Sequence, residues 1–351
     1  MLDLETYHKK RVLITGHTGF KGAWLCTILN AAGAEVTGYA LPPTEPSLFR
    51  VLGLEKQMYS VYGDVRDLEK LRRVFAEVQP EIVFHLAAQP IVQVGYQDPV
   101  GTYSTNVMGT LHLLECVRQL NCVKSVVNVT TDKVYENCGA PRGFQETDVL
   151  NGYDPYSNSK SCSELVTDSY RKSFFADQEV AVSTARAGNV IGGGDFAPNR
   201  IIPDCVRAVL AGSPVQVRYP NSVRPYQHVL EPLSAYLLIA MRQYEDKRLM
   251  GCYNVGPDDS CCLTTEALAE LFCHFWGEGA QWVDLGRQNG PHEDAILRLN
   301  CNKIYTMLGW QPKWSAERAV EETVAWTKAW VSGRDMMQFT QQQIQTFFDK
   351  T

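Results

Sequence analysis

The segment that most limits how this chain can fold is GHTGFKG at residues 16–22, in which Gly16, Gly19 and Gly22 stand three apart. A short β-branched run, RVLIT at 11–15, precedes it, and a helix-length stretch to Asn30, closed by Gly33, follows. Glycines so placed permit a tight turn and let the backbone approach a diphosphate. They also set that anion at a helix N-terminus, where unpaired N–H groups favour negative charge. Strand, loop and helix in this order predict a dinucleotide-binding βαβ unit, with Lys21 offering a point charge near the phosphates or simply a solvated ammonium.

The same rhythm recurs downstream. Strands are predicted near 34–39 and 58–62, the second ending in Gly63-Asp64, then EIVFHLAA from Glu81 and KSVVNVTT from Lys124. Asp98-Pro99 and Asp154-Pro155 each pair an N-cap with proline at the first helical position, opening helices towards Gln119 and through Phe175. About six strands alternating with helices predict an α/β fold, a doubly wound parallel sheet of Rossmann type with ligands at the carboxyl ends of its strands. Beyond Asn189 come glycine-rich loops, short strands and helices near 315–332 and 340–350, predicting a smaller C-terminal α/β lobe. The expected division gives residues 1–188 with approximately 225–257 to the dinucleotide domain, and 189–224 with approximately 258–351 to the substrate lobe.

Composition narrows the partners. With 33 Lys+Arg against 39 Asp+Glu the net charge is −6, and no basic run is interleaved with aromatics, so nucleic acid is not expected. The polar start MLDLETYHKK and the lack of any run of about 18 apolar residues predict a cytoplasmic protein without a membrane partner. Eleven cysteines, odd in number and never spaced CxxC, signal neither a disulfide frame nor a zinc site, and they read as buried thiols; no metal is expected.

Chemistry is signalled by Tyr156 and Lys160 in PYSNSK. Four apart on the helix opened by Asp154-Pro155, they share a face, so the ammonium is expected to lower the phenol pKa and to hold a ribose. A phenol made acidic beside an oxidised nicotinamide can take a hydroxyl proton as hydride leaves carbon. The acidic residue expected about 20 positions after the glycine loop is absent, since the chain reads VTGYALPP there. That site leaves NAD and NADP undivided, and Arg50 is at most a distant phosphate partner.

YxxxK following GxxGxxG resembles the signature of the extended short-chain dehydrogenase/reductases, sheet proteins with an NAD(P) domain and a nucleotide-sugar lobe. GDVRD at 63–67, HLAAQ at 85–89 and Asn106 in STNVMGT agree with it. More narrowly, TTDKVYEN, GYDPYSNSK, ARAGNVIGGGD, RIIPDCVRA and RPYQHVLEPLSAYL resemble the CDP-glucose 4,6-dehydratase family. The resemblance implies NAD contacts from Gly16, Thr18, Gly19, Phe20, Lys21, Gly22, Asp64, Val65, Leu86, Ala87, Ala88, Gln89, Asn106, Tyr156 and Lys160. It implies a nucleotide sugar, CDP-glucose, met by Asn189, Arg200, Arg218 and Arg224, the last as a planar fork on a diphosphate.

In related sugar-nucleotide dehydratases the strand before the YxxxK helix ends in Thr, Asp and Glu; here it is followed by Thr131, Asp132 and Lys133. The resemblance implies that Thr131 orients the sugar hydroxyl, Asp132 protonates the leaving hydroxyl and Lys133 replaces the carboxylate base. Lysine can do so only if its pKa is depressed. The implied reaction is oxidation at C4, loss of water across C5 and C6, and hydride return to C6, which favours a tightly held NAD. Rival readings are a dehydratase, epimerase or decarboxylase of another nucleotide sugar, and a cofactor-sensing binding protein without turnover. Family resemblance also implies a homodimer through the helices near 99–119 and 155–175.

Overall fold

The computed structural model describes residues 2–137, 139, 142–257, 262–286 and 297–349. Cys138, Cys261 and parts of the expected second lobe lie outside the described residues. Strands β1 (Arg11–Thr15), β2 (Glu35–Ala40), β3 (Tyr59–Tyr62), β4 (Ile82–His85), β5 (Ser125–Val129) and β6 (Ala181–Ala187) join Cys252–Val255 in one seven-stranded sheet. Its order is Cys252–Val255, β6, β5, β4, β1, β2, β3, and every pairing is parallel. This is the doubly wound Rossmann-type sheet, with one strand more than the periodicity suggested; CYNV between two glycines is too short to show a period.

Central strands read as continuous apolar runs because both faces are covered: Val12, Leu13 and Ile14 have no exposure. Helix α1 (Phe20–Ala31), the helix Leu230–Glu245 and the terminal helix Met336–Phe348 cover one face, sharing a core of Trp24, Leu233, Tyr236 and Phe347. Helices Leu68–Val78, Gly109–Arg118 and Pro155–Ser173 cover the other over Leu13, Phe75, Leu113 and Val126. A third core, including Ile202, Val217, Phe272, Trp276 and Val320, lies under the helices Ile201–Leu210, Thr265–Trp276 and Ala316–Val331. The terminal helix was expected in the substrate lobe, but Met336, Ile344 and Phe347 bury their apolar faces in the core that α1 occupies.

The helix expected from Asp98 to Gln119 is broken into Pro99–Tyr103, a π-helical turn at Ser104–Met108, and Gly109–Arg118. The widened turn buries Asn106, which is 1% exposed. The Pro155–Ser173 helix is capped as anticipated, Asp154 Oδ1 accepting from the backbone N–H of Tyr156 (2.9 Å) and Ser157 (3.1 Å). Its inner face is hydroxylated, not aliphatic. Asn128 Nδ2 on β5 donates to Ser163 (3.0 Å) and Thr167 (2.9 Å), and Thr110, His85 and Thr15 extend the network back to β1. Burial pushes the His85 imidazole down to about 3, so it enters this network neutral. No helix among the described residues is long and apolar enough to cross a membrane.

Candidate active site

The chain runs outward from β1 through β2 to β3, then crosses back to β4 on the other side of β1. Loops leaving β1 and β4 therefore part at that point, the place where open parallel sheets bind ligands. A cleft of about 1130 Å³ opens there and extends to the segment 187–226.

The glycine loop is shaped as its spacing predicted. Gly16 has φ +77°, and a Cβ on it would stand 2.7 Å from Ala87 N. One on Gly22 would overlap the Gly16 carbonyl oxygen and stand 2.7 Å from His17 Cα. Backbone crowding thus forbids a side chain at both. Gly19 is the N-cap residue of α1. His17 is a structural member of the loop: its Nε2 pairs with Ser60 Oγ at 2.7 Å, and burial pulls the ring down to about 4. Thr18, Phe20, Lys21, Asp64, Val65, Leu86, Ala87 and Ala88 line the cleft. No carboxylate ends β2, whereas Arg50 is outside the cleft lining and pairs with Glu55 at 2.5 Å.

Gln89 and Asn106 are the exceptions among the expected contacts. Neither lines the cleft, because their side chains are spent on each other's surroundings. Asn106 Oδ1 accepts from Gln89 N (2.8 Å), while its Nδ2 donates to Gln89 O (3.1 Å) and Ser159 Oγ (2.9 Å). Gln89 Nε2 donates to Thr102 Oγ1 at 2.8 Å. Together they tie the loop after β4 to the helix that carries Tyr156.

Thr131, Asp132, Lys133, Tyr156 and Lys160 all line the cleft. Lys160 Nζ donates to the Val129 carbonyl (2.9 Å), and burial brings its pKa down to about 8 against an upward pull from Glu164. The Tyr156 phenol moves opposite to expectation, pushed up to about 12 by burial, with the nearby Thr131 hydroxyl acting against the rise. The desolvation of a phenolate outweighs any help from the ammonium, which is engaged with a carbonyl. Asp132 is 1% exposed and its carboxyl is raised by burial, with Lys133 the foremost opposing influence. Thr131 Oγ1 donates to Asp132 Oδ1 at 3.0 Å, and Asp132 Oδ2 is buried without a partner. Lys21 is surrounded by Arg200, Lys160, Asp132 and Asp195; burial first, then the two cations, bring it down to about 7. Its electrostatic neighbours thus lie at the Tyr156 end.

The cleft is also lined by Asn189, in a left-handed conformation at φ +44°, Arg200, Arg218 and the buried Arg224. Arg200 Nη1 pairs with Asp195 Oδ2 at 2.9 Å and Arg218 approaches Asp204 at 3.6 Å. Sequence reading missed Asp195, whose position after GGG in ARAGNVIGGGD could have marked it as a loop carboxylate facing the site. It also missed the buried pair Glu164–Arg186 (2.9 Å), held by Thr130 and Thr184 behind Lys160.

The family profile described as GDP-mannose 4,6 dehydratase matches residues 13–323. The chain belongs to that family. It is 48% identical to the CDP-glucose 4,6-dehydratase of Salmonella typhimurium over all of its own length and 99% of that protein's. The UDP-glucose 4-epimerase of Thermus thermophilus, solved in complex with NAD, is 27% identical with a TM-score of 0.78, over 90% of this chain and 98% of that one. The dTDP-glucose 4,6-dehydratase of Bacillus anthracis, also in complex with NAD, shares the fold at 24% identity and a TM-score of 0.75, over 93% and 99% of the two chains. The chain is thus a 4,6-dehydratase homologue of the extended short-chain dehydrogenase/reductase type, as its motifs indicated.

Proposed function

We propose that this protein converts CDP-glucose to CDP-4-keto-6-deoxyglucose with a resident NAD. The observation that carries the reading is the convergence of Thr131, Asp132, Lys133, Tyr156 and Lys160 on the same cleft that the glycine cradle lines. Identity of 48% over the full length to a CDP-glucose 4,6-dehydratase supports the base and the sugar. The cradle fits NAD because backbone crowds the space a Cβ would fill at Gly16 and Gly22, while Gly16, Gly19 and Gly22 line the cleft at the α1 N-terminus, where a diphosphate would bind. Asp64, Val65 and Leu86–Ala88 would hold its remaining parts, and when bound it supplies a hydride acceptor that can return the hydride.

Tyr156 takes the proton of the C4 hydroxyl, and the ketone so formed acidifies the hydrogen on C5. Lys133 removes that hydrogen while Asp132, whose carboxyl burial raises above the ordinary range, gives a proton to the departing C6 hydroxyl. Lys160 fixes the helix against β5 through Val129. Asn189, Arg200, Arg218 and Arg224 hold the nucleotide sugar, with Arg224 placed by its bond to Val223 O (2.9 Å).

The sheet and the terminal helix form the dinucleotide half, and the third core carries the sugar lobe, in a cytoplasmic homodimer. Val100, Met108 and Leu165, all exposed on the helices around 99–119 and 155–173, support that interface. Incubating the holoenzyme with CDP-, UDP-, GDP- and dTDP-glucose, followed by mass analysis, tests the function. Loss of one water from CDP-glucose supports it, and an unchanged mass with all four removes it.

A further inference from the structure

We propose that Gly188 is the positioning residue for the acid of the elimination step: the Asp132 carboxyl is seated in the volume that any side chain at 188 would fill, and Gln227 clamps the Gly188 peptide in place. The inference deepens the dehydratase reading above and rests on it.

A Cβ on Gly188 would overlap Asp132 Oδ2 and Cγ and stand 2.5 Å from Oδ1. Its nearest neighbours are thus the three atoms of one carboxyl, in contrast to Gly16 and Gly22, where backbone stands in the way. The carboxyl lies directly on the bare Cα, an approach that glycine alone permits. Thr131 Oγ1 donates to Asp132 Oδ1 at 3.0 Å, whereas Oδ2 is buried without a hydrogen-bond partner. A hydrogen bond therefore holds one oxygen, and packing on Gly188 holds the other. Asp132 is 1% exposed, and both it and Gly188 line the cleft.

The seat is fixed from behind. Gly188 follows β6 at its carboxyl end, and Gln227, itself buried, donates from Nε2 to Gly188 O and to Val255 O, each at 3.2 Å. The Gln227 backbone N–H donates to Asn189 O, also at 3.2 Å. One residue thereby ties the ends of two adjacent strands, β6 and Cys252–Val255, and keeps the Gly188 peptide from retreating. Asp132 opens the turn Asp132–Val134 that Thr131 caps, with Thr131 Oγ1 accepting from Lys133 N at 3.4 Å. With backbone held on both sides, a methyl at 188 forces the carboxyl to rotate away. Proton delivery needs that carboxyl within hydrogen-bond reach of the leaving oxygen. Its displacement therefore slows loss of the C6 hydroxyl and spares the C4 oxidation, in which Asp132 takes no part.

In the NAD-loaded Gly188→Ala variant, stopped-flow absorbance is expected to show NAD reduction by CDP-glucose within about threefold of the unsubstituted holoenzyme, while water loss slows on the order of 10²-fold. The 6-deoxy-6-fluoro analogue of CDP-glucose carries a leaving group that departs with little help from an acid, so fluoride release should fall less than about tenfold. Gln227→Met, which keeps the length and removes the clamp, is expected to show the same selectivity. Asp132→Ala clears the contested volume, so Gly188→Ala should lower Tm by roughly 1–4 °C in the native background and not at all in the Asp132→Ala background. Equal slowing of NAD reduction and water loss, equal slowing of both leaving groups, or the same Tm cost in both backgrounds overturns the proposal. Should Gly188→Ala not fold, the doubly substituted protein decides: folding like Asp132→Ala supports the seat, and failing as well overturns it. Failure of the dehydratase reading shows separately, as no water loss by the unsubstituted holoenzyme, and leaves the Tm comparison intact.

Discussion

Asn106→Ala separates a bracing role from a binding role. The native amide makes three hydrogen bonds, to Gln89 N at 2.8 Å, Gln89 O at 3.1 Å and Ser159 Oγ at 2.9 Å, and is 1% exposed. Each such bond contributes about 1 kcal/mol net, and buried groups left unpaired raise the cost, so a loss of about 3–5 kcal/mol is expected. Ser159 Oγ keeps its bond to Tyr156 O at 2.7 Å, which puts the cost mainly on the Gln89 loop. Over 351 residues, at roughly 2.1 cal/mol/K each, that lowers Tm by about 4–7 °C. Since the helix carrying Tyr156 loses a tether, kcat is expected to fall about 10–100-fold. NAD affinity, measured by isothermal titration, should change little. An unaltered Tm together with a collapse of NAD affinity would place the amide on the cofactor and refute the brace.

Gly22→Ala forces a methyl against the Gly16 carbonyl and His17 Cα; overpacking of about 1–3 kcal/mol should weaken NAD binding roughly 10–100-fold in titration. Glu164→Gln strips the charge opposing the buried Arg186, and calorimetry should show a loss of about 3–5 kcal/mol. Glu231 accepts from Lys313 N (2.9 Å) and Trp314 N (2.6 Å), and burial pushes its carboxyl up to about 7. The fold therefore binds a proton that the unfolded chain releases near 4.5, so this contribution is full below that pH and is lost as pH rises through about 7. Glu231→Gln should raise Tm at pH 8 and leave it nearly unchanged at pH 4; an equal shift at both would contradict the assignment. Lys133→Ala should still show transient NAD reduction with CDP-glucose but no water loss, and full dehydration in that variant would remove Lys133 from the scheme.

What could be read in the sequence was whatever depends on neighbours along the chain. The glycine loop, the Asp154-Pro155 cap and the Tyr156–Lys160 pair are local patterns, and each has the local geometry predicted. Strand order, and hence the cleft at β1 and β4, follows once alternation implies a doubly wound sheet. The destinations of Gln89 and Asn106 did not follow, because Asn106 meets partners 17 and 53 residues away. The direction of the Tyr156 shift failed for a related reason. A four-residue spacing shows that an ammonium can be near a phenol, but says nothing about how much water burial removes from around it.

That failure alters how the site is understood. If Lys160 alone made Tyr156 acidic, the phenol would be poised before any ligand arrived. With the phenol at about 12 and Lys160 at about 8 in the cleft as it stands, Tyr156 holds its proton until additional positive charge enters. NAD's nicotinamide is the source of that charge in the proposed reaction. Burial thus sets the phenol against deprotonation in the cleft as it stands, and the same desolvation raises the Asp132 carboxyl. One physical cause, exclusion of water at the ends of β5 and the Pro155–Ser173 helix, raises both the Tyr156 phenol and the Asp132 carboxyl.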